Sequence, residues 1–131
     1  MATLQSRLSD LISAIGVDIK DLFQINSITT GASPNPPGAA NRNMHIMSAL
    51  GVAVTYGIPG GGTIVDGNAL IISLKDNGNA KGITWHAIYR SLDTVNVPLP
   101  TTTVPGKWMH LGFIYNGADT KWDLISVRNQ T

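Results

Sequence analysis

The sequence predicts a mainly β protein, in which an N-terminal α-helix precedes a small antiparallel β-sandwich or jelly-roll-like domain. Strand-like apolar runs alternate with turn signals roughly every 8–12 residues, the spacing expected of a sandwich or barrel. All eight acidic residues are Asp, whereas surface helices usually draw on Glu. Asn, Thr, Gly and Pro, which favour strands joined by tight turns, are plentiful.

Size and charge restrict the partners. A chain of 131 residues suits one compact domain with an appendage, and only 13% of its residues are charged. Net charge is +1 and the Lys and Arg residues are scattered, so we expect no nucleic-acid partner. No run reaches the ~18 apolar residues of a membrane span, so we expect synthesis in a cytoplasm without membrane insertion. The absence of Cys excludes disulfides and thiolate metal sites.

Residues 1–23 are predicted to form an oligomerisation or anchoring helix, which Thr3 can cap. Apolar side chains recur at spacings of three and four and therefore share one face. That stripe, the predicted oligomer interface, consists of Leu4, Leu8, Leu11, Ile15, Ile19 and Leu22. It is too short to be stable alone, so the helix either packs on its own domain or associates with copies of itself.

Residues 24–43 are predicted to be a connector. The Pro-rich run at residues 33–38 cannot continue a helix and favours an extended path. Its composition is compatible with a fixed linker and with a mobile one. The β-sandwich domain is therefore expected over residues 44–131.

Within that domain, alternation and turn residues predict strands at residues 44–56 (with a bend at Leu50-Gly51), 70–74, 82–89, 107–115 and 120–127. The strand at residues 107–115 has two fairly apolar faces, so we expect it to be central. In the last strand, Trp122 and Leu124 are expected on one face, with Asp123, Ile125 and Val127 on the other.

No catalytic, cofactor or metal site is expected. The glycines at 60–62 lack the Lys-Ser or Lys-Thr and the helix of a phosphate loop. The three histidines, His45, His86 and His110, have no ligand spacing and lie on different predicted strands.

Two further residue sets are of the types that bind or cleave sugars. Asp76, Asp119 and Asp123 would be the carboxylates of a glycosidase, but Asp is favoured in turns for its backbone hydrogen bonds. The three tryptophans, Trp85, Trp108 and Trp122, suit packing better than a sugar platform, although the mixed face of Trp108 makes it a candidate surface contact.

The last third of the chain contains a series of motifs: Asp76-Asn77-Gly78, Ile83-Thr84-Trp85, Leu99-Pro100-Thr101-Thr102-Thr103, the run from Gly112 to Asn116, and the run from Ala118 to Asp123. In order and spacing, these motifs resemble a C-terminal module of tailed-bacteriophage tail-fibre and other virion structural proteins. Residues 4–20 also resemble the start of many short phage tail proteins. The resemblance implies a non-enzymatic structural role, as a homotrimer, within a virion.

From this we expect a tail-fibre or spike component that is made in the host cytoplasm, anchors through its N-terminal region and contacts other virion proteins. A bacterial surface glycan or protein would then meet the exposed turns at residues 59–67 and 76–81. The alternatives are a capsid decoration protein or head fibre, in which residues 1–43 would form a clamping arm, and a carbohydrate-binding module.

Overall fold

The computed structural model describes residues 3–131, apart from the side chains of residues 16–21. It contains one helix and eight strands in the described chain. In order these are α1 (Leu4–Leu22), β1 (Phe23–Ile28), β2 (Arg42–Leu50), β3 (Val54–Tyr56), β4 (Ala69–Asp76), β5 (Ile83–Trp85), β6 (Tyr89–Ser91), β7 (Trp108–Asn116) and β8 (Lys121–Asn129).

Six strands form one sheet in the order β1-β2-β4-β7-β8-β6, and β3 and β5 form a second, two-stranded sheet. The predicted fold class, a mainly β protein with one N-terminal helix and a small sandwich, is confirmed. The predicted antiparallel pairing holds for β4, β7 and β8. The pairs β1–β2, β2–β4, β6–β8 and β3–β5 are parallel, so the main sheet is mixed.

The segment predicted as a connector contains β1 and the first residues of β2. Its middle part follows the domain surface, where the amides of Ala49, Thr55 and Gly57 donate hydrogen bonds to the carbonyls of residues 29, 32 and 34. This return path carries the chain back to the end where β1 began. Residues 29–41 are therefore a fixed crossover, which is the reason that β1 and β2 run parallel.

One face of the six-stranded sheet, here called the inner face, forms the core with the β3–β5 sheet. Trp85 stacks on Tyr56 with ring centroids 4.9 Å apart, and Tyr89 and Phe113 complete an aromatic cluster around it. The buried side chains of the inner face come from every long strand: Met47, Leu50, Leu70, Ile72, Leu74, Met109, Leu111, Phe113, Trp122 and Leu124.

Two local predictions were wrong. Residues 82–89 form two short strands, because a turn at residues 86–88 separates β5 from β6. Val127 does not share a face with Asp123. A bulge places Gly112 opposite Ser126 and Phe113 opposite Leu124, so the extra residue Ile125 resets the alternation and Val127 packs on the core.

The sheet has a clear polarity relative to the helix. Because β1, β2 and β4 run parallel, they all start at the end where α1 enters. We call this the helix-side end; it also carries the β7–β8 turn, where the Gly117 amide donates to Asp66 over 2.9 Å. The opposite, far end carries the turn after Asp76, the turn at Gly106 and the end of β8.

Candidate interaction surfaces

The first candidate surface is the apolar stripe of α1. The helix begins with a cap, since the Ser6 amide donates to the Thr3 hydroxyl over 3.1 Å. Leu8 and Leu11 are 53% and 56% exposed, and all the predicted interface residues that the structure describes are exposed in the same way: Leu4, Leu8, Leu11, Ile15 and Leu22. The side chain of Ile19, the sixth, lies outside the described residues.

Sequence reasoning missed one member of this stripe. Ile12 is also exposed, and it follows Leu8 by four residues and precedes Ile15 by three. These spacings place it beside the predicted row, so they were the signal that could have identified it. The exposed apolar surface of the helix is therefore wider than predicted.

The second candidate surface is the outer sheet face, on the side of the six-stranded sheet away from the core. We define it by seven apolar residues that are exposed or half-buried: Phe23, Ile25, Met44, Ile46, Ile71, Ile114 and Ile125. Strand register brings them together, since Ile25 is level with Met44, Met44 with Ile71, and Ile71 with Gly112.

The outer sheet face is not flat, and the position of its hollows follows from this register. Ile71 stands between two shallow hollows of about 340 Å³ and 210 Å³. Phe23 and Met44 line the larger hollow, and Ile114 and Ile125 line the smaller one. Gly112 leaves the smaller hollow open, because it has no side chain. A Cβ at this position would lie 3.2 Å from the Ser126 hydroxyl oxygen. The sequence had indicated that β7 is apolar on both faces, but it did not identify this surface.

Trp108, the predicted surface contact, lies at the far end of the same face and is half-buried. Its indole stacks on the His110 ring at a centroid distance of 6.1 Å, and the Lys75 ammonium lies 5.9 Å from the indole centroid. The other two tryptophans belong to the core. The Trp85 indole donates to the Pro100 carbonyl over 2.7 Å, and Trp122 is fully buried.

The three histidines lie in separate environments. His45 is fully buried on the inner face, and its Nδ1 lies 2.8 Å from the Asn26 side-chain oxygen. His86 accepts a hydrogen bond from the Ile88 amide in the turn before β6, and His110 pairs with Ser73 on the outer side. Within the described part of the chain, no three His, Asp or Glu side chains form a group that would hold a metal ion.

His45 is neutral in this setting. Its Nδ1–H donates to the Asn26 side-chain oxygen, and Nε2 has no hydrogen-bond partner among the residues that the structure describes. Burial lowers the pKa of His45 to about 4, because a charged imidazole would lose its hydration there.

The three aspartates that a glycosidase site would require do not form one cluster. Asp76 is buried at the far end, where it accepts hydrogen bonds from the Thr103 hydroxyl and from the amides of Gly78 and Gly106. Burial raises its pKa, but these hydrogen bonds and the nearby charge of Lys81 outweigh that effect, so the net pKa is lowered. Asp76 therefore acts as an organiser of two turns.

Asp119 and Asp123 share a different partner at the helix-side end. The Arg90 guanidinium donates to Asp123 over 2.7 Å and to Asp119 over 2.9 Å. The Arg90 hydrogen bond is the main cause of the lowered pKa of Asp123. Burial raises this pKa, and the hydrogen bond from the Asn116 amide lowers it. The Arg90 guanidinium and these two carboxylates form a structural ion pair network that joins β6 to the β7–β8 hairpin.

A groove of about 550 Å³ follows the last part of β8. β6 pairs with β8 only as far as Leu124, so residues 125–129 have no strand on that side. The opposite wall is the loop carrying Val97, Pro98 and Pro100. Pro cannot extend the ladder, which explains why the sheet stops here.

The two turn regions predicted to be exposed lie at opposite ends of the sheet. In the glycine loop, Gly61 lies close to Gln24, and the Gly67 amide donates to the Tyr115 carbonyl, so residues 61–67 belong to the helix-side end. Residues 77–80 are exposed at the far end. The two regions cannot form one contact surface.

Among the described residues, no helix combines the length and apolar character that crossing a bilayer requires. A scan against protein-family models finds no match for this sequence, and a search of curated proteins finds none that is similar to it.

Proposed function

We propose that the protein is a structural subunit of a bacteriophage virion, a tail-fibre or spike component that self-associates as a homotrimer through α1. One observation carries this proposal: the described apolar side chains of α1 are all exposed, whereas the β domain encloses a complete core of its own. A free apolar helix attached to a finished domain suits a device for assembly. The resemblance of residues 76–123 to virion modules supplies the setting.

The polarity of the sheet gives the proposed subunit a direction. If α1 joins the copies or docks on a neighbouring virion protein, the helix-side end faces the particle and the far end projects outward. Contact with a bacterial surface glycan or protein then falls to the turns of the far end, residues 77–81 and 104–106. The glycine loop at residues 61–67 lies at the anchored end and is a poor candidate for that contact.

The structure reduces the support for the capsid-decoration alternative. That alternative requires residues 1–43 to form an arm, but β1 is a strand of the sheet and residues 29–41 are hydrogen-bonded to the domain. Only α1 is left to clamp a shell. Antibody labelling of intact particles distinguishes the two: we expect signal at the tail, and labelling confined to the head would overturn the fibre proposal.

The self-association is tested by light scattering of the purified full chain. We expect a mass of about 42 kDa, three times the 13.9 kDa of one chain. The double variant Leu8→Asp/Leu11→Asp should reduce this to the monomer mass, because each charge buried in the seam would cost several kcal/mol. A wild-type monomer at high concentration would contradict the proposal. Ser6→Asp, on the polar side of the same helix, is the matched control and should remain a trimer.

A sugar-binding role is tested separately with a glycan array. Trp108 lies on the outer sheet face, whereas half-buried Trp85 packs in the aromatic cluster and Trp122 is fully buried, so Trp108→Ala should abolish any stacking-dependent signal. We expect no glycan binding that depends on this residue. A signal that Trp108→Ala removes would favour the carbohydrate-binding alternative.

A further inference from the structure

We propose that the outer sheet face is the second part of the self-association interface and is covered by a second copy of this chain. The inference rests on the proposed function, because it assumes that copies associate through α1. It goes further by assigning an apolar surface of the β domain that the helix proposal leaves open to solvent.

The two apolar surfaces are continuous along the chain. Helix α1 ends at Leu22 and β1 begins at Phe23, with no residue between them. Leu22, Phe23 and Ile25 are all exposed across this junction. Phe23 and Ile25 belong to the outer sheet face, since they are level with Arg42 and Met44. A copy that packs along α1 therefore meets the outer sheet face where the helix ends.

The chain's own helix is not able to cover this face. A helix that folds back on the sheet it leads into needs a connecting loop of about 2–5 residues. Here the helix passes directly into the edge strand, and its described apolar side chains are exposed, so they do not pack on the outer sheet face. The covering surface must come from another molecule.

The area of each surface favours a combined interface. A helix of 19 residues presents a strip roughly 28 Å by 10 Å, or about 280 Å². Five strands about 4.8 Å apart, with three outward positions on each, present roughly 300–400 Å². A stable interface needs about 600–1,000 Å² on each partner. Neither surface reaches that range alone, whereas the two together, at about 580–680 Å², meet its lower end.

The distribution of charge on the outer sheet face resembles that of an interface. Its central positions are apolar or uncharged, with Ile71, Gly112 and Ser73 in the middle. Register places Arg42 at its helix-side margin, Lys75 at its far margin and Arg128 on its β8 side. An apolar centre with charges at the rim is the usual arrangement of surfaces that pair with another protein.

Single cysteines provide the test, because the chain contains none. Ile71→Cys introduces a thiol in the middle of the outer sheet face. Val52→Cys is the matched control, since Val52 is 48% exposed and Ile71 46%, and Val52 lies in the turn between β2 and β3. The rate of reaction with a thiol reagent is measured for each full-length variant and divided by its rate in denaturant.

We expect the Ile71→Cys thiol to react at least tenfold more slowly than the Val52→Cys thiol in the oligomer. Adding Leu8→Asp/Leu11→Asp should dissociate the oligomer into monomers, and the Ile71→Cys and Val52→Cys thiols should then react at similar rates. Ile114→Cys, on the neighbouring strand, provides a second thiol in the same face and should repeat the result.

The failures of the two proposals can be told apart. An oligomer in which both thiols react equally fast overturns the outer-face assignment and leaves helix self-association intact. A monomer with two equally reactive thiols overturns both proposals. Protection of the Ile71→Cys thiol in a monomer would show that the face is covered from within the chain, and it would also overturn the inference.

Discussion

The inner and outer faces of the six-stranded sheet are built from the same strands and from similar residues, yet only one of them is covered. On β4, Ile72 points into the core and is fully buried, while its neighbour Ile71 is 46% exposed. On β7, the same contrast separates Phe113 from Ile114. An apolar residue in a strand therefore does not report whether its face is closed by its own chain.

What closes the inner face is a second layer that comes from distant parts of the chain. Val54 and Tyr56 of β3 and Ile83 and Trp85 of β5 cover the middle of the sheet. The outer face has no such layer in the described residues. The difference between the faces is thus a property of the connections, and substitutions on the two sides of the sheet should have different effects.

The largest expected effect is the difference between Ile72→Ala and Ile71→Ala in how far each lowers the protein's free energy of unfolding. Ile72→Ala should lower it by about 4 kcal/mol, because the substitution removes buried methylene groups and leaves a cavity in the inner face. Ile71→Ala should lower it by less than about 1 kcal/mol in the monomer, since its side chain is half solvated already. Urea denaturation at low protein concentration measures both. Equal losses would contradict the distinction between the faces.

How much of this contrast could be read from the sequence depends on the residue. The alternation in residues 107–115 predicted correctly that β7 is a central strand, and the structure places it between β4 and β8. It could not show which face was covered, because both are apolar. β1 was missed because Gln24, Asn26 and Ser27 weaken its pattern, and its strand conformation depends on pairing with β2 across the crossover.

The bulge at Ile125 shows a second limit of the sequence. A period of two continues through Asp123, Ile125 and Val127 without a visible break. The structure inserts one extra residue there, which moves Val127 to the core side. Nothing local in the sequence encodes that shift, since it depends on how β8 fits against β7. Of the candidate surfaces, the helical stripe could be predicted from its spacing apart from Ile12, whereas the outer sheet face became visible only from the register of five strands.

The second prediction concerns pH and compares an inner histidine with an outer one. The pKa of His45 is about 4 in the folded protein and about 6.5 when unfolded, so the unfolded chain binds a proton that the fold rejects. Stability should therefore be constant above about pH 6.5, and it should fall by about 3 kcal/mol as the pH decreases towards 4.

Urea titrations between pH 7 and pH 4 measure this loss. His45→Gln should reduce the dependence on pH over that range, whatever it does to the absolute stability. His110→Gln, on the exposed outer side, should retain it. The explanation would be wrong if His110→Gln removed the pH dependence and His45→Gln left it unchanged.

A smaller effect is expected from the buried carboxylate at the end of β4. Asp76→Asn should lower the free energy of unfolding by about 2 kcal/mol, since the neutral amide cannot accept the Thr103, Gly78 and Gly106 hydrogen bonds as strongly as the carboxylate does. Asp66→Asn is the matched control, because Asp66 is exposed and accepts one amide hydrogen bond, from Gly117. Thermal unfolding would contradict this account if the control were the more damaged variant.

The smallest expected effect lies on the outer face, at the contact between Lys75 and Trp108. Lys75→Met keeps most of the aliphatic chain but removes the charge, so it should cost only about 0.5 kcal/mol, the usual size of an exposed cation–π contact. A double-mutant cycle with Trp108→Leu separates the energy of the cation–π contact from the packing of either side chain. A coupling energy above about 2 kcal/mol would mean that the pair is shielded from water even in the monomer. The outer face would then be closed at its far end, and only its centre and helix-side end would be available to a second copy.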